Sequence, residues 1–132
     1  MTSNGAGGLR VLVADDNRDS ADACAVVLRL EGHDVRVAYS GTDALTIGAE
    51  FRPQMVLLDL AMPSMDGYAA ARQIRASDWG SATTLVAVTG HGQADDLRKT
   101  REHGFDHHYV KAADFSLLQR LLDQYADGSA SR

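Results

Sequence analysis

The sequence predicts an α/β fold, a parallel five-stranded sheet with helices on both faces. Three observations carry this. Strand-length apolar runs alternate with helical patterns five times along the chain. Two of the runs, Met55–Leu58 and Leu85–Val88, are continuously apolar, as strands covered on both faces are. The length, 132 residues, lets one such domain bury a full core and leaves little for a second. Repeated strand–helix units imply parallel pairing through crossover helices.

The first strand is Leu9–Ala14, ending at Asp15-Asp16-Asn17. From Ser20 the spacing of Ala23, Val26, Val27 and Leu30 predicts a helix with that row inward, capped at its C-terminus by Gly32. Val35, Val37 and Tyr39 alternate as in a half-exposed strand. Ala44, Ile47, Gly48 and Phe51 mark the second helix, closed by Pro53. After the third strand, Ala70, Ala71 and Ile74 mark a short helix, and Leu85–Val88 follows as the fourth strand. Gln93–His103 is polar apart from Ala94 and Leu97, so a helix there is weakly held and a candidate moving part. Tyr109–Val110 is a short fifth strand, and Leu118, Leu121, Leu122 and Tyr125 form the strongest helical stripe.

Hydrophobic residues at 45% and charged residues at 23% are those of an ordinary globular domain. Thirteen Lys and Arg against eighteen Asp and Glu give a formal charge of -5, which argues against nucleic-acid or acidic-membrane binding through a basic face. Cys24 is the single cysteine, so there is no intrachain disulfide, and its apolar neighbours predict a buried small hydrophobe rather than a catalytic thiol. Residues 1–8 lack the apolar core of a signal peptide and read as a flexible leader, 126–132 as a flexible tail. No apolar run approaches the roughly 18 residues of a membrane span, and the expected location is cytoplasmic.

The strand ends carry the chemistry. The first strand ends at Asp15 and Asp16, the third at Asp59, the fourth at Thr89 and the fifth at Lys111. In an open parallel sheet all carboxyl ends lie along one edge, where ligands bind. Three carboxylates, a hydroxyl and an ammonium should therefore converge. A hard cation relieves the carboxylate repulsion, and Mg²⁺, or Mn²⁺ in its place, suits carboxylates, waters and a phosphate oxygen. Asp59 is then a nucleophile of the aspartyl-phosphate kind, with Thr89 and Lys111 holding oxygens of the transferred group.

The segments VLVADDN, VLLDLAMPSMDGY, LVAVTG and HHYVK, in this order and spacing, resemble the receiver domain of two-component response regulators over about residues 9–125. The resemblance implies a flavodoxin-like (βα)5 three-layer sandwich with strand order 2-1-3-4-5. It implies Asp59 as phosphoacceptor from a histidine kinase or histidine phosphotransfer protein. Asp16 matches the direct Mg²⁺ ligand, Asp15 its water-mediated partner, and the Ala61 backbone carbonyl a main-chain ligand. Thr89 and Lys111 match the pair that grips the phosphoryl group, and Met62, Pro63, Asp66 and Gly67 the loop that shapes the site. Two positions depart from the family. Ala112 follows the lysine where proline is usual, so the Lys111–Ala112 bond is expected to be trans, a non-proline cis bond costing roughly 3–4 kcal/mol. The switch position, commonly Tyr or Phe, is His108, with Tyr109 as second candidate. Gly90, following Thr89, should leave the adjoining loop free to move.

Plainer roles compete. Asp15-Asp16 could cap the first helix. His103, His107 and His108 lack a further ligand set for zinc. His33 and His91 read as exposed loop residues, and Arg98, Lys99 and Arg101 with Asp95 and Asp96 as a solvated helix face. The expected function is a phosphorylation-controlled receiver, not a dedicated enzyme, that presents the fourth helix, fifth strand and fifth helix to a downstream protein. The chain is expected to leave no room for an output domain and to be a monomer without nucleic-acid or membrane partners. The alternatives are a degenerate receiver that binds partners without phosphorylation, favoured only by Ala112, and a Mg²⁺-dependent phosphatase turning over small substrates. The stretch GFDHHYVK also resembles receivers attached to hybrid kinases.

Overall fold

A computed structural model describes residues 8–60, 62, 67–89, 97–110, 119–120 and 122–123, the side chains of 97–99 and 110 excepted. The elements in chain order are β1 (Arg10–Ala14), α1 (Arg18–Leu30), β2 (Asp34–Ala38), α2 (Gly41–Phe51), β3 (Met55–Asp59), α3 (Gly67–Ala76), β4 (Thr84–Thr89), α4 (Leu97–Glu102) and β5 (His107–Val110). The five strands form one parallel sheet in the order β2-β1-β3-β4-β5, as expected. Each strand of the sequence reading is present within a few residues of its predicted limits. Residues 119–120 and 122–123 are helical, and Leu122 is buried. Leu118, Leu121, Tyr125, residues 1–7 of the expected leader and the whole expected tail lie outside the described residues.

Alternation along the central strands splits the core in two. Leu12, Ala14, Val56, Leu58, Leu85 and Ala87 face Ala44, Ala70, Ala71, Ile74 and Phe105. Val11, Val13, Met55, Leu57 and Val86 face Ala21, Ala25, Leu28 and Leu122. That is why Met55–Leu58 carries no polar residue: both sides of the sheet are covered. Among the described residues, no helix is long and apolar enough to cross a membrane.

The inward face of α1 differs from the one predicted. Ala21, Ala25 and Leu28 are buried, whereas Ala23 is exposed, Val26 is 53% exposed and Leu30 82% exposed. Both rows obey helical spacing. The sheet takes the row with two alanines because small side chains let the helix sit close to a flat strand surface, while bulk alone favours the other row. The C-terminus of α1 ends as predicted at Gly32, whose φ of 99° is the left-handed turn. Gly32 N–H donates to Arg29 O at 3.0 Å and His33 N–H to Leu28 O at 3.2 Å, so the helix's last carbonyls are satisfied.

His33 is not the exposed loop residue predicted. It is buried, and its Nδ1 accepts the N–H of Leu9 at 3.1 Å. The donor just before β1 has no strand partner to take it, and a buried N–H must be paired. His91 lies outside the described residues.

Arg75, at the end of α3, ties three segments together. Its guanidinium donates to Gly80 O at 3.0 Å, Thr83 O at 2.6 Å, Gly104 O at 2.7 Å and Asp106 Oδ2 at 2.8 Å. The same Asp106 oxygen accepts Leu85 N–H at 2.9 Å, fixing the entry to β5 beside the start of β4. Only a planar fork of several donors fits these acceptors. Arg75→Lys should therefore lower stability by about 2 kcal/mol through the unpaired carbonyls, read as a lower urea midpoint at unchanged slope.

Burial holds the His33 pKa below its usual value, against the opposing charges of Asp123 and Glu31. Folded His33 thus resists a proton that the unfolded chain accepts. Its contribution to stability is complete above about pH 6.5 and is lost as pH falls from there toward the folded pKa. His107, also lowered by burial, acts with the same sign. Wild-type urea midpoints should fall between pH 7.5 and 5.5 more than those of His33→Gln, which retains only the His107 part.

Candidate functional site

The carboxyl edge of the sheet collects the predicted residues through strand register. Ala14 pairs with Leu58, so the next residues, Asp15 and Asp59, stand side by side where β1 meets β3. This is the point at which strand order reverses, the usual ligand crevice of such sheets. Carboxylate oxygens of Asp15, Asp16 and Asp59 all lie within 4.8 Å of one another. Asp15 is 5% and Asp59 4% exposed, while Asp16 is open to solvent. Among the described residues this is the only group of three or more His, Cys, Asp or Glu side chains so placed, and it includes no histidine.

Neither Asp15 nor Asp16 caps α1. The cap is Asn17, whose side-chain oxygen accepts Ser20 N–H at 3.0 Å, a role not predicted for it although an Asx residue three before Ser20 is a readable signal. Asp15 Oδ1 accepts the Asn17 N–H at 3.0 Å, which orients the carboxylate toward the edge. Cys24 is half-buried in α1. Burial first, and the Asp15 carboxylate second, push its thiol up to about 11, so it is no nucleophile at neutral pH.

Gly67 opens α3 against the backbone of the site. A Cβ there would stand 2.6 Å from Leu60 Cα and 2.8 Å from Asp59 O, and Gly67 N–H donates to Leu60 O at 3.2 Å. The residue therefore has to be glycine for the turn after Asp59 to close. Met62 fills the core beneath this turn. Ala61, Pro63 and Asp66 lie outside the described residues.

Thr89, 1% exposed, ends β4. Val88 pairs with both Asp59 and Tyr109, and Ala87 with His108. Paired residues share a sheet face, so His108 lies with Ala87 and Thr89 on one side and Tyr109 with Val88 on the other. Thr89 Oγ1 is 2.8 Å from His108 Nε2. Tyr109 instead lines, with Val13, Cys24, Leu57 and Val88, a cavity of about 270 Å³ beside α1. Of the two candidate switch side chains, His108 is the one that meets Thr89. Lys111 follows Val110, the partner of Thr89 in β5, and lies with Gly90 and Ala112 outside the described residues. His103 packs its ring on Tyr68 at 4.6 Å.

The sequence and the fold match known proteins. Residues 11–123 match the family of the response regulator receiver domain, and the chain belongs to that family. It is 39% identical over 102 residues to the DNA-binding response regulator MtrA of Mycolicibacterium paratuberculosis, covering 77% of this chain and 44% of that protein. The chain thus spans less than half the length of this curated relative. An uncharacterized 14.6 kDa protein of Leptolyngbya boryana is 31% identical, over 87% of this chain and 88% of its own. The crystal structure of the receiver domain of the sensor histidine kinase PA1611 from Pseudomonas aeruginosa PAO1 superimposes with a TM-score of 0.80 at 28% identity. It covers 92% of this chain and 98% of that one, and carries magnesium in its active site cleft.

Gly67→Ala should push the β3–α3 turn away from Leu60. The expected loss is about 1–3 kcal/mol in urea unfolding. Chemical-shift changes should centre on Asp59 and Leu60 rather than on the amino edge of the sheet.

Proposed function

We propose that the chain is a phosphoacceptor receiver, a single domain over residues 9–125 acting in a cytoplasmic two-component phosphorelay. The observation that carries the reading is the meeting of Asp15, Asp16 and Asp59 within 4.8 Å at the edge where Thr89 also ends. Asp15 and Asp59 are buried like charges, an arrangement that costs free energy unless something compensates it. An all-oxygen, strongly acidic donor set fits a hard divalent cation. Asp16 would hold Mg²⁺ directly, Asp59 would share it, Asp15 would act largely through water and the Ala61 carbonyl would supply a main-chain oxygen. When bound, the ion neutralises charge on the carboxylates and on the incoming phosphoryl oxygens.

An Asp59 carboxylate oxygen attacks the phosphorus of a phosphohistidine on a kinase or phosphotransfer protein. The new P–O bond forms as the donor P–N bond breaks, and the departing imidazole keeps the electron pair and takes a proton. The product is an aspartyl phosphate. Thr89 donates its hydroxyl to one phosphoryl oxygen and Lys111 its ammonium to another, so the chain supplies positioning and charge rather than a separate acid or base. It catalyses its own modification and is not a dedicated enzyme. The phosphorylated form would favour a different arrangement of the α4–β5 face for a downstream protein. Ala112 is the one feature that favours a receiver working without phosphorylation.

Incubation with Mg²⁺ and acetyl phosphate, followed by intact-mass measurement, should add one phosphoryl group, lost in Asp59→Asn. A folded, unmodified wild type would establish the phosphorylation-independent reading instead, and rapid multiple-turnover hydrolysis the phosphatase one. Asp16→Ala should weaken Mg²⁺ binding by about tenfold or more while leaving metal-free stability unchanged or raised, since one crowded carboxylate is gone. Unchanged Mg²⁺ affinity would refute the ligand assignment.

A further inference from the structure

The contact between Thr89 Oγ1 and His108 Nε2, at 2.8 Å, can be made in two ways. A bare Nε2 on a neutral ring accepts the threonine proton. An Nε2–H, on the imidazolium or on the other neutral tautomer, donates to the threonine oxygen and leaves the hydroxyl proton free. The distinction matters because a hydroxyl has one proton. While it points at His108 it cannot point at a phosphoryl oxygen on Asp59.

We infer that His108 is a positioning residue for Thr89 whose protonation is linked to phosphorylation of Asp59. The inference rests on the phosphoacceptor reading above. Without a phosphoryl group, Thr89 donates to the bare Nε2. With one, the Thr89 proton turns to a phosphoryl oxygen, and Nε2 binds a proton from solvent and donates it to Thr89 Oγ1. A tyrosine or phenylalanine at this position could not take up that proton in the neutral range; an imidazole can. By reciprocity, a proton on His108 strengthens phosphoryl retention by the factor by which phosphorylation strengthens proton binding.

The surrounding groups leave His108 as the side chain able to do this. His107 points to the opposite sheet face with Val86. Asp106 is engaged by Arg75 and the Leu85 N–H. On α4, Arg101 and Glu102 are exposed and the adjoining His103 packs on Tyr68, while Arg98 and Lys99 belong to the same helix by sequence. Asp59, on the neighbouring strand β3, is the acidic group at the same carboxyl edge as Thr89. A phosphoryl group there also adds negative charge, which would raise the His108 pKa by itself, so the test must separate charge from the hydrogen bond.

Nitrogen-detected imidazole NMR of the full chain with Mg²⁺, with and without beryllofluoride as phosphoryl probe, reads both. The apparent His108 pKa should rise by about one unit on loading, equivalent to about tenfold stronger loading of the protonated form. The rise should persist in Thr89→Ser and largely vanish in Thr89→Val. A His108 pKa that does not rise overturns the inference, as does a full rise in Thr89→Val, which would show charge alone at work. Loading is followed separately by fluorine NMR. Its failure overturns the phosphoacceptor reading and this one with it, whereas loading without a threonine-dependent rise overturns only the link to His108.

Discussion

Every group of the site depends on the register in which β1, β3 and β4 pair. A shift of one residue would move Asp59 away from Asp15 and turn each strand's side chains to the opposite core. Because both faces of these strands are apolar, a shift would not simply expose hydrophobic surface, and something else must fix it. The amino-terminal edge does so. Gln54 N–H donates to Arg10 O at 2.8 Å while its side-chain oxygen accepts Arg10 N–H at 2.9 Å. Thr84 N–H reaches Gln54 O, Asp34 N–H reaches Leu9 O, and Thr83 Oγ1 donates to Pro53 O. This row of directional bonds pins β1, β2, β3 and β4 at one end, so that the far ends arrive in step.

The two edges therefore divide the work. At the amino edge backbone groups of neighbouring segments bond to one another, and the buried His33 takes the N–H of Leu9. At the carboxyl edge the chain places three carboxylates together. Stability generated by the cores and the amino edge tolerates that crowding, a common trade between stability and a functional site. Gly67 belongs to this logic, since it lets α3 begin directly against the Asp59–Leu60 backbone and closes the crevice without a side chain in the way.

Much of this was legible in the residues alone. Runs such as Met55–Leu58 announce a doubly covered strand, and a polar residue at the end of each run announces the edge, so Asp15, Asp16, Asp59 and Thr89 fall where pattern and topology put them. What pattern could not resolve was decided by fit at a distance. The row of α1 that faces the sheet depends on how closely a helix approaches, which favours Ala21 and Ala25 over the bulkier Val26 and Leu30. His33 looks like a loop residue until the unpaired N–H of Leu9, 24 positions away in sequence, is placed beside it. Arg75 gives no local signal, because its acceptors, backbone carbonyls of two loops and the Asp106 carboxylate, are brought together only by the fold.

The pairing of β5 with β4 separates two neighbours that composition leaves alike. His108 and Tyr109 are adjacent and both large, yet the strand sends them to opposite faces. Tyr109 joins the α1 side with Val88, and His108 joins the side with Ala87, Thr89 and Phe105. That second side is where α4 lies, its end held by His103 on Tyr68 and by Arg75 on Gly104. Under the linkage proposed for His108, a change in what Thr89 holds would reach the α4 side rather than the α1 side. The aromatic ring at position 109 packs on the other face, beside α1.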